Sequence, residues 1–177
     1  MTDPTPAFLT TSGETIAREL LILYLNTGTS QSPTWSAIGK RVSDSSMEYD
    51  WGDETSTDIL GDAHSTMKKP TITQSFEPLL DSGDAASVII WEKGVRDHNP
   101  QALCNMDLLV AHQYYGVSAS TPWAERYPSS MIKPTSIGGE GGGNIKMPYD
   151  VTFGGTRSVG KISRGQNGAV TYTADAA

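Results

Sequence analysis

The stretch MEYDWGDETSTDILGD, residues 47–62, concentrates acidic side chains. Its six carboxylates are Glu48, Asp50, Asp53, Glu54, Asp58 and Asp62. Carboxylates at this density can bind a metal ion, act as a general acid and base, or form a surface that repels other anions. The spacing of these residues decides among the three kinds of chemistry.

Neither metal binding nor acid–base catalysis fits the spacing. An EF-hand calcium loop needs ligands at fixed positions, a central glycine and a closing glutamate, and DWGDE at residues 50–54 does not supply them. A glycosidase needs two carboxylates across a cleft, and six carboxylates offer so many pairs that no single pair is indicated. We therefore expect no metal, no cofactor, no catalytic residue and no enzymatic activity.

Strand alternation sorts the acidic stretch into two faces instead. Successive side chains of a β-strand point to opposite faces. The even positions are mainly acidic, and the odd positions are mainly apolar or hydroxyl-bearing, with a bend expected at Gly52. The carboxylates of the even face are Glu48, Asp50, Glu54 and Asp58. This pattern predicts an amphipathic β-surface whose charge is organised on one side.

Other candidate motifs do not complete a catalytic or phosphate-binding site. The glycine-rich stretch IGGEGGGNIKMP, residues 137–148, contains no G-x-G-x-x-G and no Gly-Lys-Ser/Thr, and its flanks have strand patterns rather than a helix start. We therefore predict a mobile hairpin tip at that position. The three histidines are scattered, and Cys104 has no adjacent base that would activate it as a nucleophile.

The elements that must position these residues are mostly strands. Alternating patterns and short apolar runs rich in β-branched residues recur along the chain. They fall at residues 20–26, 34–42, 46–60, 64–78, 105–115, 127–137, 145–153, 157–163 and 169–173. The predicted fold class is therefore a mostly β protein, a β-sandwich or barrel of about eight strands with one flanking α-helix.

The segment DSGDAASVIIWEKGVRDHNP, residues 81–100, has the features of that helix. Asp81 and Ser82 are candidate N-caps, and Pro100 marks its end. Helical spacing predicts a buried face made of Ala85, Val88, Trp91 and Val95. Ile90 falls outside this face.

Length and composition fit one globular domain. Residues 1–19, rich in Thr and Pro at their start, predict an extended N-terminal arm, and residues 20–177 a single β-sandwich domain. Apolar residues make up 37% of the chain. The start of the chain lacks the pattern of a signal peptide, and the longest apolar run is too short to span a bilayer.

The charge balance limits the kind of partner. Twenty acidic residues outnumber 13 basic residues, which leaves a net charge of −7. A protein that binds nucleic acid tightly needs Lys and Arg side chains against the phosphates, so this composition argues against tight binding of nucleic acid. It does not argue against a protein that lets nucleic acid pass.

Several stretches, taken in order, resemble the major tail tube proteins of tailed bacteriophages, in the form found in siphophages and prophages of Gram-positive hosts. The stretches are LYLNTGTSQSPTWSAIGKRVSDSSMEYDWGDETSTDILGD, KKPTITQSFEP, GDAASVIIWEKGVRDHNPQAL and ERYPSSMIKPTSIGGEGGGNIKMPYDVTFGG. They cover roughly residues 20–155. None is a catalytic motif, and the resemblance depends on their number and order.

The resemblance implies a structural virion protein. Six copies would form a ring, their inner sheets would join into a continuous barrel, and stacked rings would form a tail tube that carries DNA during genome ejection. Implied partners are other copies of the chain, the tape measure, the tail terminator, and the distal tail or baseplate proteins. Assembly would take place in the host cytoplasm, and the tube would end up in the virion.

Two sets of surface residues follow from that hypothesis. The lumen-lining candidates are Glu48, Asp50, Glu54 and Asp58, whose charge would repel phosphates so that DNA slides without sticking. The acidic face could instead lie on the outside or in a subunit contact. The ring-stacking candidates lie in the connection at residues 57–65 and in the glycine loop: Thr57, Asp62, Gly138, Gly139, Glu140, Gly141, Gly142 and Gly143.

Three other functions remain open at this stage. The first is the tube subunit of a related injection machine, such as a type VI-like secretion tube or a phage-like bacteriocin. The second is a carbohydrate-binding β-sandwich that uses Trp51 or Trp123, although the expected lack of a signal peptide argues against it. The third is an enzyme that uses the acidic cluster, which the spacing argues against.

Overall fold

The computed structural model describes residues 5–175. Within these residues the chain forms twelve strands: β1 Ala7–Phe8, β2 Leu21–Asn26, β3 Trp35–Ala37, β4 Met47–Asp50, β5 Glu54–Thr57, β6 Ala63–Thr66, β7 Thr71–Phe76, β8 Met106–Ser118, β9 Thr121–Pro134, β10 Tyr149–Thr152, β11 Ser158–Arg164 and β12 Val170–Ala174. The helical elements are a 3₁₀ turn Arg18–Leu20, α1 Ala85–Trp91, a π-helical segment Glu92–Arg96, and α2 Pro100–Leu103. The predicted mostly β class is confirmed, with twelve strands instead of about eight, of which β8 and β9 are longer than the predicted stretches and several others are shorter.

The strands form two packed antiparallel sheets and one separate hairpin. Sheet A has the order β3-β2-β8-β9-β11-β12, with β1 added beside β8. Sheet B has the order β9-β10-β7-β4. Strands β5 and β6 pair only with each other among the described residues, and we call them the projecting hairpin.

Strand β9 belongs to both sheets. Its first part pairs with β8 and β11, and residues 131–134 pair with β10. Between them a bulge sets Met106 opposite Ser130 but Leu108 opposite Tyr127, so β9 carries one extra residue and bends. The turn that follows β10 packs closely on this bend. A Cβ atom added at Gly154 in that turn would lie only 2.5 Å from the carbonyl oxygen of Ser129.

The main core fills the space between the two sheets. Its fully buried side chains come from both sheets and include Leu25, Leu108, Val110, Ile132 and Val151. A second cluster covers the other face of sheet A and contains Tyr24, Trp35, Leu109, Ala111, Ala124 and Ile162. Sheet A therefore carries apolar side chains on both faces, which explains the continuous apolar run LLVA in β8.

The flanking helix is present, but its cap and its buried face differ from the prediction. Asp84 is the N-cap and accepts a hydrogen bond from the Ala86 amide, so neither Asp81 nor Ser82 caps it. Ala86 and Ile90 are buried in the main core, whereas Ala85 is exposed. Ile90 therefore belongs to the buried face, four residues after Ala86 on the same side of the helix.

The segments near both ends of the described chain extend sheet A. Residues 1–4 of the predicted arm and residues 176–177 lie outside the described residues. In the rest of the arm, the Leu9 amide donates to the carbonyl of Tyr114, and β1 extends sheet A. The last hairpin turns at residues 165–168, where Gly168 has a positive φ and Asn167 does not, so this turn is not of type I′.

Candidate assembly surfaces

The outward face of sheet B is a polar surface built by strand alternation. Inward side chains of β7, namely Ile72, Gln74 and Phe76, are buried, so the threonines and serine between them point outward. The register then places the outward residues of all four strands in rows. These residues are Glu48, Asp50, Thr71, Thr73, Ser75, Asp150, Thr152, Met131 and Lys133.

The outward face of sheet B carries a net negative charge. Glu48 and Asp50 are exposed at the β4 edge, and three carboxylates face one lysine, which leaves two negative charges. Asp150 accepts a hydrogen bond from Ser75 Oγ at 2.8 Å and lies 3.3 Å from Lys133 Nζ. These two contacts lower the pKa of Asp150, with the bond from Ser75 the larger cause. The face therefore carries a net negative charge, while its threonine hydroxyls and the ammonium group of Lys133 can donate hydrogen bonds.

The other two predicted lumen residues lie elsewhere. Gly52 has φ +50°, and beyond it the chain leaves sheet B for the projecting hairpin. There Glu54 accepts from Lys68 Nζ at 3.0 Å, and Asp58 Oδ2 lies 3.1 Å from His64 Nε2. The structure therefore separates the four carboxylates into a pair on sheet B and a pair on the hairpin, each of the latter beside a basic side chain.

The projecting hairpin is exposed along its whole length. Every residue of β5 and β6 is exposed, and Thr55 and Ser65 bond to each other across it at 3.1 Å. Asp58 Oδ1 accepts from the amides of Leu60 and Asp62 and closes the turn at the tip. An isolated two-stranded hairpin is only marginally stable in water, and this one pairs with no other strand of the described residues.

The glycine loop lies at the opposite end of sheet B from the hairpin. It joins the end of β9 to the start of β10, where Pro134, Tyr149 and Phe76 are paired. Its neck is closed by paired hydrogen bonds between Gly138 and Lys146, and residues 139–143 beyond the neck are exposed. The hairpin emerges at the other end, where Asp50 pairs with Thr71. The two predicted stacking segments therefore occupy opposite ends of one sheet.

A buried polar cluster lies between the sheets and was not predicted. Glu125 of β9 is 6% exposed, accepts from Tyr127 Oη at 2.9 Å, and forms an ion pair with Arg157. His112 Nε2 lies 3.8 Å from Glu125, and its Nδ1 lies 2.7 Å from Tyr114 Oη. Each charge here has a partner of opposite sign, which is what a buried charge needs for stability.

Two residues of the sheet B face were also missed by the sequence analysis. Asp150 and Lys133 come from β10 and β9, far along the chain from Glu48. Alternation in YDVT, whose Tyr149 and Val151 are buried, could have indicated that Asp150 points outward. It could not have shown that only β7 separates β10 from β4 in sheet B, because pairing partners are not encoded locally.

The described residues include no group of three or more metal-ligating side chains close enough to hold an ion. They also include no helix long and apolar enough to cross a membrane. Trp51 is half exposed and stacks on Tyr49 with ring centroids 6.4 Å apart, whereas Trp123 packs against His112 and Arg157. The two tryptophans therefore do not form a shared aromatic platform.

Comparison with known proteins adds evidence on the fold. No protein-family model and no curated protein matches the chain. Among solved structures, a chain of the sheath–tube complex of the PVC extracellular contractile injection system, in its extended state, matches with a TM-score of 0.50. The two chains share 8% identity, and the match covers 85% of this chain and 94% of that one. This likeness shows a common fold.

Two further structures are similar at lower scores. A chain from the PVC sheath/tube terminator matches with a TM-score of 0.48 and 10% identity, over 84% of this chain and 99% of that one. A type six secretion system protein matches with a TM-score of 0.36 and 14% identity, over 86% and 91%. At these scores the two matches carry no argument of their own.

Proposed function

We propose that this chain is the structural subunit of a tail tube, in which hexameric rings stack around a channel lined by the outward face of sheet B. The resemblance of its sequence to tail tube proteins and its fold, shared with a chain of a sheath–tube complex, support a tube subunit. We propose no catalytic activity and no cofactor for it.

The observation that carries the proposal is the placement of the projecting hairpin and the glycine loop at opposite ends of sheet B. A contact between the front of one copy and the back of the next is heterologous, and such a contact repeats without a natural end. Two exposed segments at opposite ends of one body provide such a contact. Rings joined this way form a tube along the strands of sheet B.

Ring closure would use the sides of the subunit rather than its ends. Strand β4 pairs with β7 on one edge, and no strand among the described residues pairs with its other edge. Unpaired strand edges promote association, and closure of a sheet into a barrel removes them. We assign the β4 edge to the contact between neighbours in a ring.

The face of sheet B suits the passage of DNA without binding. B-DNA carries one charge about every 1.7 Å, and screening at physiological salt acts over about 8 Å. Ionised carboxylates and phosphates are both acceptors only, so no direct hydrogen bond forms between them. Glu48 and Asp50 in every subunit would keep the wall repulsive along the whole channel. Genome ejection is therefore the proposed use of the tube.

The other partners follow from the same proposal. A tube of defined length needs a tape measure inside it, a terminator at one end, and distal tail or baseplate proteins at the other. We propose that the subunit assembles with these proteins in the host cytoplasm and becomes part of the virion. The siphophage type and the Gram-positive host remain predictions from the sequence resemblance.

A second candidate is the tube of an injection machine that delivers cargo other than a genome. The observation in its favour is the fold shared with a chain of the PVC sheath–tube complex, which belongs to an extracellular contractile injection system. The subunit contacts would be the same as in the phage tube. Only the cargo and the surrounding proteins would differ.

Electron microscopy of the purified protein tests the proposal. We expect six-fold rings or hollow tubes in negative stain, and hexamers or larger species in analytical ultracentrifugation at high protein concentration. A strict monomer at every concentration, with no assembly when tail initiator proteins are added, would contradict the proposal. Finding encapsidated DNA with the tubes in native particles would favour the phage tail over the second candidate.

A further inference from the structure

A short contact with β8 holds the N-terminal arm on the body of the subunit. On the edge of β8 that does not pair with β9, the pairing with β2 ends at His112. Beyond that residue β1 occupies the same edge and pairs with residues 115–116. The Leu9 amide adds one hydrogen bond, to the carbonyl oxygen of Tyr114 at 2.8 Å. We call this part of the β8 edge, residues 114–116, the arm slot.

Aromatic side chains make the arm slot complementary to the arm. Phe8 stacks on Tyr114 with ring centroids 6.2 Å apart, and it meets Tyr115 in a T-shaped contact at 5.4 Å. Tyr115 Oη also donates to the carbonyl oxygen of Pro6 at 3.3 Å. When a segment adds to an exposed sheet edge, main-chain bonds give affinity and side-chain contacts give specificity. The arm slot is therefore specific for this segment of the same chain.

Within one copy, the contact of the arm buries little surface. Phe8 is 62% exposed, and residues 11–17 behind it are all exposed. The chain is attached again at Arg18, whose Nη2 donates to the carbonyl oxygen of Ser45 at 2.9 Å. Ordering the exposed connection costs conformational entropy that so little burial does not offset. Its own subunit therefore holds the arm weakly.

The connection behind the arm is longer than its path within one subunit requires. Leu9 bonds to Tyr114, and Leu21 pairs with His112, on the same edge of β8. Two residues of a strand span about 7 Å, so the two attachment points are close together. An extended chain over residues 9–18 spans about 30 Å. Most of this length is unused while the arm stays on its own subunit.

In a six-fold ring lined by sheet B, that unused length matches the distance between neighbouring copies. Sheet B has four strands, which at about 4.8 Å each give a repeat of about 19 Å at the channel wall. Sheet A packs about 10 Å farther from the axis, so the arm slots of neighbouring copies lie about 29 Å apart. The extended connection can therefore carry the arm to the slot of an adjacent copy.

We propose that the arms are exchanged in the ring, so that β1 of each copy occupies the arm slot of an adjacent copy. The inference rests on the proposed function and adds a second contact between neighbours, besides the β4 edge. The slot makes the same contacts whichever copy supplies the arm, so exchange keeps them and also links two subunits. Once the β4 edge holds the neighbours together, binding of the arm is intramolecular and strengthens the ring.

Cross-linking between two kinds of single-cysteine chain distinguishes exchange from attachment within one copy. Cys104→Ser first removes the exposed native cysteine. One chain then carries Ala7→Cys in the arm, and a second chain, of different tag length, carries Val117→Cys beside the slot; both positions are exposed. The chains are mixed as monomers, assembled, and treated with a short bismaleimide. We expect the heterodimer as the main cross-linked product.

The matched control uses the native Cys104 in place of Val117→Cys in the second chain. Cys104 is exposed and precedes the start of β8, whereas the arm slot lies near the end of that strand. We expect only background cross-linking from this mixture. Tubes that form without the product between positions 7 and 117 would overturn the exchange and leave the proposed function intact. Absence of both assembly and cross-links would overturn both.

A second measurement leaves the arm and the slot unchanged and shortens the connection. Deletion of residues 12–15 reduces the reach between Leu9 and Arg18 to about 17 Å, which suffices within one subunit and not between two. We expect an unchanged melting temperature and a critical concentration for tube formation that rises at least about tenfold, because the link between neighbours is lost. The control replaces the same four residues with Gly-Ser-Gly-Ser and should assemble like the wild type. Equal critical concentrations for the two chains would contradict the exchange.

Discussion

The pKa of the buried carboxyl group of Glu125 depends strongly on its neighbours. Burial raises its pKa, but the adjoining His112, Arg157 and Tyr127 outweigh burial and lower the pKa to about 2, from an ordinary value of 4.5. Because the folded protein holds this proton more weakly than the unfolded chain does, protonation at low pH favours unfolding. The stabilisation is present above about pH 4.5 and is lost as the pH falls toward 2.

This linkage gives a prediction at the residue scale. In urea unfolding of the wild-type subunit, we expect protonation of Glu125 to lower the free energy of unfolding by at most about 3 kcal/mol between pH 6 and pH 2.5. Glu125→Gln should lower the free energy of unfolding at pH 6 and should remove that part of the pH dependence.

The control for this measurement is Glu140→Gln, on the exposed glycine loop. It should keep the wild-type pH dependence, because Glu140 forms no hydrogen bond or ion pair with another side chain in the described chain. If Glu125→Gln were to retain the full pH dependence, another group would be responsible for it.

At the scale of elements, the two loops at the ends of sheet B differ from the core in their exposure. The projecting hairpin has only its own ladder and turn bonds for protection, and residues 139–143 are exposed beyond a closed neck. Exposed backbone hydrogen bonds with few packed neighbours open readily and exchange their amide protons fast.

We predict that assembly changes this exchange selectively. Amides of residues 54–66 and 138–143 should exchange fast in the free subunit and should become protected in tubes. Amides of β8 and β9, which lie in the middle of sheet A, should be slow in both states and serve as the internal control. Hydrogen exchange with mass spectrometry measures this, and unchanged exchange at both loops would assign stacking to other segments.

Local sequence patterns predicted the features that depend on residues close together in the chain, namely side-chain alternation and the positions of most strands. The alternation in β4 indicated the outward direction of Glu48 and Asp50, and the apolar runs located most strands. The pattern failed where a local break had a tertiary consequence. At Gly52 the chain leaves sheet B, so Glu54 and Asp58 do not continue the acidic face of β4.

The helix shows a second limit of local patterns. Helical spacing from Ala85 assumed one regular helix, whereas the structure starts the helix after Asp84 and changes to π-helical geometry at Glu92. The change of geometry does not explain the misassigned face, because Ala85 is exposed and Ile90 is buried within the regular helix, whereas Val95 in the π segment packs against the main core. The partners of buried groups are a third limit. Glu125 and Arg157 are 32 residues apart in the chain, and only the sheet topology brings them together.

For the whole molecule, the separation of the four carboxylates allows the channel and the stacking contact to be tested independently. Glu48 and Asp50 lie on sheet B, and Glu54 and Asp58 lie on the hairpin beside Lys68 and His64. In a tube of the proposed kind, the first pair would face the cargo and the second pair would face a neighbouring ring.

We therefore predict opposite effects of two matched charge reversals. Glu48→Lys with Asp50→Lys should leave tail length normal and should slow or block genome delivery, because a basic wall binds phosphate. Glu54→Lys with Asp58→Lys should impair tube formation by removing the turn closure at Asp58, the contact of Asp58 with His64, and the ion pair of Glu54 with Lys68.

The measurement is an ejection or potassium-efflux assay on particles that carry the substituted tube, with tail length checked by microscopy. Normal tails with normal ejection for the first pair would show that this face does not line the channel. Failure of the first pair to form tails would place the face in a subunit contact.

The sharing of β9 between the two sheets has a mechanical consequence. One continuous backbone is hydrogen-bonded into sheet A along its first part and into sheet B at residues 131–134. A force applied to sheet B along its strands is therefore carried by a covalent chain into sheet A, instead of acting only on the side chains packed between them. In a tube, friction from a moving cargo would be transmitted to the outer layer, and the inner wall would not be peeled away from its own subunit.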